Sequence, residues 1–292
     1  MSLHPQFARP RKLDQAVSLL ENLGAGTLLI AGGQELMPHV NYGRLMPTVI
    51  VDIGGLPELR GIRDDGGLVS IGALTVHRQL QRDPLVAGSL PLLTYAAAQV
   101  GGGWQVHNRG TIGGNIVSMH PLYDIVPPLI ALGAEVEIVG AGGARRMALA
   151  ALVRDTSHGL GTSTVLTRVL VKPQAEGAGW SYQKLKITEG SYGSANAAAV
   201  LSLDRSGHVD DLRVVIGAVS ERPIDASEPL RRLLAGRSVD ARTTVQVERD
   251  CASLATQPLA DQQGGAEYRA AMAGVVARRA VEAACRMAAR AA

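Results

Sequence analysis

Aromatic side chains are scarce in this 292-residue chain, which has one Phe, two Trp and six Tyr. Leu, Val, Ile and Ala must therefore build most of its core. Cys251 and Cys285 are the only cysteines, and both lie in the Ala-rich C-terminal part. With no C-x-x-C pair, the chain cannot by itself hold a thiolate zinc site or an iron–sulfur cluster. So few thiols fit a reducing compartment better than a disulfide framework. There is no Lys/Arg run with interleaved aromatics, and the formal net charge is only +3, which argues against nucleic-acid binding. No apolar stretch approaches the roughly 18 residues of a membrane helix. The opening MSLHPQFARPRKLDQ lacks the apolar centre of a signal peptide. The expectation is a cytoplasmic chain.

What is present reads as a globular protein of two or three domains, with 46% apolar and 19% charged residues. Leu13, Ala16, Leu19, Leu20 and Leu23 recur at helical spacing before Gly24. TLLIAGG, TVIVDIGG and GLVSIGA are short strands punctuated by glycine. Thr75 is a candidate N-cap for TVHRQLQRD, and PLLTYAAAQV is a helix with proline in its first turn. VEIVGAGGARR imitates the strand and Gly-x-Gly that open a dinucleotide-binding fold. Its third glycine is missing and no acidic strand end follows, so a hairpin turn is expected. After the strand TVLTRVLVKP the texture changes across the connector at 175–180. Three strands follow, WSYQKLKI, AAAVLSLD and DLRVVIGAV, and helix is expected from Glu228 to the end. The fold class is α+β: a first domain over 1–173, divided near residue 54, then a smaller sheet backed by helices over 178–285.

Two glycine pairs stand apart from ordinary turns: Ala31-Gly32-Gly33-Gln34-Glu35 and Thr111-Ile112-Gly113-Gly114-Asn115. Glycine lets main-chain N–H groups turn outward and approach a ligand closely, and concave nests of amides hold phosphate. Thr111 and Asn115 add side-chain hydrogen bonds, and Asp124 follows the second pair among Pro121, Pro127 and Pro128. Two such loops about 80 residues apart suit a diphosphate gripped from both sides.

The patterns AGGQ…P, IGALTVH and HNRGTIGGN…P…D…P, with DQQGGAEYRAAMAGVVARRAVEAA near the end, resemble the FAD-binding medium subunit of molybdenum hydroxylases, the carbon monoxide dehydrogenase and xanthine dehydrogenase family. That resemblance spans nearly the whole chain. It implies a two-part FAD-binding domain of the vanillyl-alcohol-oxidase type and a carbon monoxide dehydrogenase flavoprotein C-terminal domain. It also implies FAD on this chain, a large molybdopterin-binding subunit and a small [2Fe-2S] subunit as partners, and a dimer of heterotrimers. Carried over by position, Ala31 to Leu36 and Thr111 to Asn115 would surround the FAD diphosphate. Asp124 would bind adenosine or ribityl hydroxyls. Ala73, Thr75, Leu166 and Lys184 would approach the cofactor, and Tyr192 would stack near the isoalloxazine. Glu35 stands where the carbon monoxide dehydrogenase branch usually has Ser, and a carboxylate beside a diphosphate is repulsive. The expectation is that Glu35 reaches sugar hydroxyls or the flavin edge, and that Glu35, Lys184 and Tyr192 tune the ring. His120 replaces a common Asp or Ser.

Other signals carry less. The seven histidines form no H-E-x-x-H and no i, i+4 pair, so no metal site is expected. Ser157-His158-Gly159 reads as a surface loop, without a nucleophile elbow. Trp104, after a triple glycine, is either an interface anchor or packing beneath the FAD loop. The resulting expectation is an oxidoreductase subunit that passes electrons from partner iron–sulfur clusters to an external acceptor. The alternatives are a self-sufficient flavin oxidoreductase and a flavin-free scaffold subunit.

Overall fold

The computed structural model describes residues 5–155, 160 and 163–291. The Ser157-His158-Gly159 segment lies outside them. Three sheets organise the chain, each formed from consecutive elements.

The first sheet is parallel. It runs β1 (Gln6–Ala8), α1 (Leu13–Leu23), β2 (Thr27–Ile30), α2 (Leu36–Asn41) and β3 (Val49–Asp52), with strand order β1-β3-β2. The leucine stripe of α1 buries Ala16, Val17 and Leu20 in a core shared with Val51, Ile53 and Leu56. Open parallel sheets bind ligands beyond the carboxyl ends of their strands. Here that end is the loop 31–35 after β2.

The second sheet is antiparallel, in the order β4-β5-β8-β6-β7. Its first strands are β4 (Ile62–Asp64) and β5 (Val69–Gly72). Six short helices follow: α3 (His77–Arg82), α4 (Pro84–Ser89), α5 (Pro91–Ala98), α6 (Gly103–Arg109), α7 (Ile112–Ser118) and α8 (Val126–Ala131). Then come the hairpin β6 (Glu135–Gly140) and β7 (Gly143–Ala148), α9 (Leu149–Asp155) and β8 (Val165–Val171). The expected hairpin at VEIVGAGGARR is therefore present. Thr75 is not the cap of α3. That place falls to Val76, whose amide donates to Gln79 Oε1 at 3.0 Å, while the Thr75 carbonyl accepts from Ile112.

The third sheet comprises β9 (Gly179–Lys186), β10 (Gly193–Leu203), β11 (Val209–Gly217) and β12 (Ile224–Asp225), antiparallel in the order β12-β11-β10-β9. Behind it lie α10 (Ser227–Leu234), α11 (Ala241–Leu254) and α12 (Ala266–Ala291). Helix does not run unbroken from Glu228. Residues 255–265 form an irregular connection with bridges Ser220–Pro258 and Asp261–Gly264, at a proline and a glycine pair that cannot continue a helix cheaply.

The middle strand β10 serves two cores. Side chains alternate across a strand, so Ala195, Ala197, Ala199 and Leu201 pack against the helices, with Val276, Ala280 and Ala284 of α12 in the same cluster. Ala198 on the opposite face joins Tyr182 and Val215 in the core of the second sheet. Alanine is small enough to let both layers close on the sheet. Ala197 is fully buried, and enlarging such a position forces neighbours off their rotamers. Ala197→Leu is expected to lower unfolding stability by about 1–3 kcal/mol, read as a shift in urea midpoint with an unchanged m-value.

Candidate functional site

A cavity of about 860 Å³ lies where loops of all three sheets meet. That is within the range of cofactor sites, roughly 300–1,000 Å³. The first sheet contributes residues 27–36, the second Ala73 and the 110–118 stretch, and the third Tyr192 and Gln263.

The loop from Ala31 to Glu35 behaves as its sequence suggests. Gly33 has φ +71°, a conformation that favours glycine. A Cβ on Gly32 would lie 1.9 Å from the Arg109 carbonyl oxygen, so only glycine allows this loop to touch the segment leading into the second glycine pair. The amides of Gly32, Gly33, Gln34 and Glu35 donate to no acceptor among the described residues. They remain available to an anion, as a nest requires.

The second pair works differently. Thr111 caps α7, its Oγ1 accepting from the Gly114 amide at 3.0 Å. The Ile112 amide donates to Thr75 O and the Gly113 amide to Ala73 O, both at 2.9 Å, and the Asn115 amide returns to Thr111 O. The bare backbone expected at 112–115 is therefore spent inside the protein. Gly113 is required for packing, since a Cβ there would meet Ala73 Cβ at 2.7 Å. What this segment offers the cavity is its side chains. The Asn115 Oδ1 is buried without a partner. Thr27 Oγ1, His77 Nδ1 and Gln263 Oε1 are in the same condition, and all four residues line the cavity. A buried polar atom without a partner is costly. Four of them around one space mark a place for a polar ligand.

Ala31 to Leu36, Ala73, Thr111, Gly113, Gly114, Asn115, Asp124, Leu166 and Tyr192 all line this space. Thr75 and Ile112 stand behind the wall, fully or almost fully buried. Lys184 is also absent from the lining. Its Nζ is 2.8 Å from Asp124 Oδ2, with both side chains almost inaccessible to water, and it donates to Gln99 O at 3.0 Å. The Tyr182 hydroxyl donates to Asp124 Oδ1 at 2.7 Å. Burial pushes the Asp124 carboxyl up, against the opposing pull of Lys184 and Tyr182. Asp124 is thus tied first to the third sheet, and Lys184 acts on the cavity only through it.

Glu35 does not project its charge toward the free amides of its own loop. Its Oε1 is 3.1 Å from His39 Nε2, and its Oε2 accepts from the Tyr123 hydroxyl. Burial, with the Glu35 carboxylate beside it, lifts the Tyr123 phenol far above its usual range, so it remains a donor. His120 stacks on Tyr123 at 4.7 Å and on Tyr192 at 5.3 Å, backing the two tyrosines that line this end of the cavity. Sequence reasoning missed His39, Tyr123, Tyr182 and Gln263, and it favoured a structural role over a ligand role for His77 on its short helix. His77 lay within the quoted IGALTVH, Tyr123 beside Asp124, and Gln263 within DQQGG. The bonds of Tyr123 and Tyr182 cross 88 and 58 positions and leave no local signature, whereas His39 meets Glu35 at the i, i+4 spacing of a helix. Trp104 is exposed, with the Arg78 guanidinium 4.6 Å above its ring, and does not pack beneath either loop.

Comparison with known proteins assigns the chain to a family. The family described as FAD binding domain in molybdopterin dehydrogenase matches residues 3–173. The CO dehydrogenase flavoprotein C-terminal domain matches residues 180–284. The carbon monoxide dehydrogenase medium chain of Hydrogenophaga pseudoflava is 36% identical over 281 residues, covering 96% of each chain. That of Afipia carboxidovorans is 33% identical, covering 94% of this chain and 95% of the relative. A solved structure of the Hydrogenophaga pseudoflava enzyme, lacking the Mo-pyranopterin moiety, superposes with a TM-score of 0.93 at 33% identity over 98% of this chain and 99% of that one. The chain belongs to the family of FAD-binding medium subunits of molybdenum hydroxylases. It is an oxidoreductase subunit carrying an FAD-binding domain and a flavoprotein C-terminal domain. No described helix is long and apolar enough to cross a membrane.

Two measurements probe the cavity wall. Burial, helped by the charge of His107, lowers the His77 pKa from 6.5 to about 4. Below pH 6.5 the unfolded chain takes up a proton here that the folded chain refuses, so stability present above that pH drains away as pH falls toward 4. The loss is on the order of 3 kcal/mol. His77→Gln is expected to flatten that part of a urea-midpoint profile. Gly32→Ala is expected to lower the melting temperature by several degrees, whereas Gly142→Ala, where a Cβ would meet nothing within 4 Å, leaves it unchanged in the same thermal scan.

Proposed function

We propose that the cavity holds FAD and that this chain is the electron-transfer subunit of a molybdenum-containing hydroxylase. In this reading a large molybdopterin-binding subunit oxidises the substrate, and [2Fe-2S] clusters on a small subunit deliver the electrons. An external acceptor then removes them from this chain. Assembly as a dimer of heterotrimers belongs to the same reading, as do domain limits of 1–173 and 178–285. Bound FAD would supply two-electron redox chemistry that no side chain can.

The observation that carries the proposal is the pairing of four unspent amides at Gly32–Glu35 with orphaned polar atoms around one space. The amides would receive the diphosphate. Asn115 Oδ1 would accept from a sugar hydroxyl, and Thr111 would orient that wall through its cap. Ala31, Leu36, Ala73, Gly113, Gly114 and Leu166 would close around the cofactor and exclude water. Tyr192 would lie against the ring. Thr75 and Ile112 would hold the second loop from behind, and Lys184 would fix Asp124. Glu35 is bound to Tyr123 and His39, which keeps its charge from opposing the phosphates. Proton donors and acceptors at the ring end stay fixed, as suits a subunit that stores electrons rather than reshaping a substrate.

Purified alone, the full chain is expected to take up FAD in a one-to-one ratio and to show no turnover of its own. Asn115→Leu, which keeps the branched outline and removes the acceptor, should weaken FAD binding about tenfold in a fluorescence titration. Failure of the wild-type chain to take up FAD would overturn the proposal.

A further inference from the structure

The irregular connection between α11 and α12 reaches the cavity through one side chain. Gln263 lines the space, and its Oε1 is buried without a partner. Its main chain is pinned on several sides. The Gln263 carbonyl accepts from Ser194 Oγ at 2.6 Å, and its amide donates to Asp261 Oδ1 at 2.7 Å. Asp261 and Gly264 exchange backbone hydrogen bonds of 3.1 and 3.2 Å. Arg269, wholly buried, donates to Asp261 Oδ1 at 2.5 Å and to the carbonyls of Ser194 and Ala218. A buried guanidinium shared between this loop and the carbonyls of Ser194 and Ala218 holds the loop's main chain against the third sheet.

The anchor Ser194 lies two residues beyond Tyr192, so Gln263 belongs to the end of the cavity lined by Tyr192 and Tyr123. Flat aromatic faces there suit a flat heteroaromatic ring. The free amides of Gly32–Glu35 leave the apolar side of the cavity near Leu28 and Leu29 for the other end of a dinucleotide. An orphaned carboxamide oxygen beside a ring site calls for an N–H donor. The pyrimidine edge of an isoalloxazine carries one, flanked by two carbonyls, and a carboxamide can meet N–H and C=O together.

We propose that Gln263 is a cofactor-contacting residue supplied by the C-terminal domain, its Oε1 accepting a hydrogen bond from the N3–H of the flavin. The inference rests on the flavin reading above and adds to it the group that reads the ring edge. Through this contact the irregular connection reads the pyrimidine edge of the ring, whose N3–H is present in both redox states.

The test uses the full chain loaded with FAD carrying ¹⁵N at flavin N3. Wild-type chain is expected to give an N3–H NMR signal protected from solvent exchange. Gln263→Leu should lose that protection and bind FAD about tenfold more weakly. Gln263→Glu, which keeps an accepting oxygen, should retain the protected signal, and so should Gln262→Leu at the exposed neighbour. Matching melting curves of the flavin-free variants would assign the loss to the contact rather than to folding. A protected N3–H in Gln263→Leu overturns the inference, whether affinity is unchanged or has fallen through an adenine contact. So does an unprotected N3–H in wild-type chain that nevertheless binds FAD, and that result leaves the flavin reading standing. A wild-type chain that takes up no FAD overturns both.

Discussion

Lys184 and Asp124 leave water together, and the relation between the two halves of the chain follows from how that cost is met. Lys184 sits on β9 of the third sheet, and Asp124 in the turn before α8 of the second. Burying two charges costs several kcal/mol per ion unless geometry and further hydrogen bonds offset it. Here the Tyr182 hydroxyl and the Gln99 carbonyl complete the set. A buried network of this kind tolerates few alternatives, because every partial arrangement strands a charge. The pair therefore acts as a registration mark. With it in place, the connection after β9 brings Tyr192 to the cavity, and the start of β10 brings Ser194 to the loop that carries Gln263.

The same economy governs the charges around the cavity. Glu35 sits in a loop whose other members offer only N–H groups, an arrangement that would be self-defeating if its carboxylate faced the same way. Tyr123 and His39 hold it to one side. Tyr123 is well suited to this, since a phenol is protonated at physiological pH and burial beside the carboxylate pushes its pKa further up. The two glycine pairs divide the work. One presents unspent amides, and the other gives up its amides to the backbone of residues 73–75 and presents side chains instead.

Much of this was legible in the sequence, and the exceptions have physical causes. The longer strands of all three sheets, α1, α5 and the β6–β7 hairpin follow from apolar spacing and punctuation, whereas β1, β4 and β12, of two or three residues, are too short to show a period. The stretch 103–131 did not resolve into α6, α7 and α8, because helices of six or seven residues are too short to establish a period. In α7, two glycines argue against helix by propensity, and the close approach to Ala73 decides otherwise. Most proposed site residues line the cavity, since glycine pairs reveal backbone approach directly. Thr75, Ile112 and Lys184 stand one layer behind, a distinction that spacing along a chain does not encode. Tyr123, which holds Glu35, and Tyr182 and Lys184, which hold Asp124, come from distant segments and became visible only once the sheets had assembled, whereas His39 stands one helical turn from Glu35.

The two-sided character of β10 has a consequence for how this protein can change over time. Odd-numbered alanines belong to one interior and even-numbered residues to another. Deleting a single position would hand each interior the other's side chains along the remainder of the strand. The strand is in effect a shared wall whose bricks are fitted from both rooms. Length variation in descendants of this chain must therefore collect at the exposed turns, such as Arg205-Ser206-Gly207, and leave the wall itself intact.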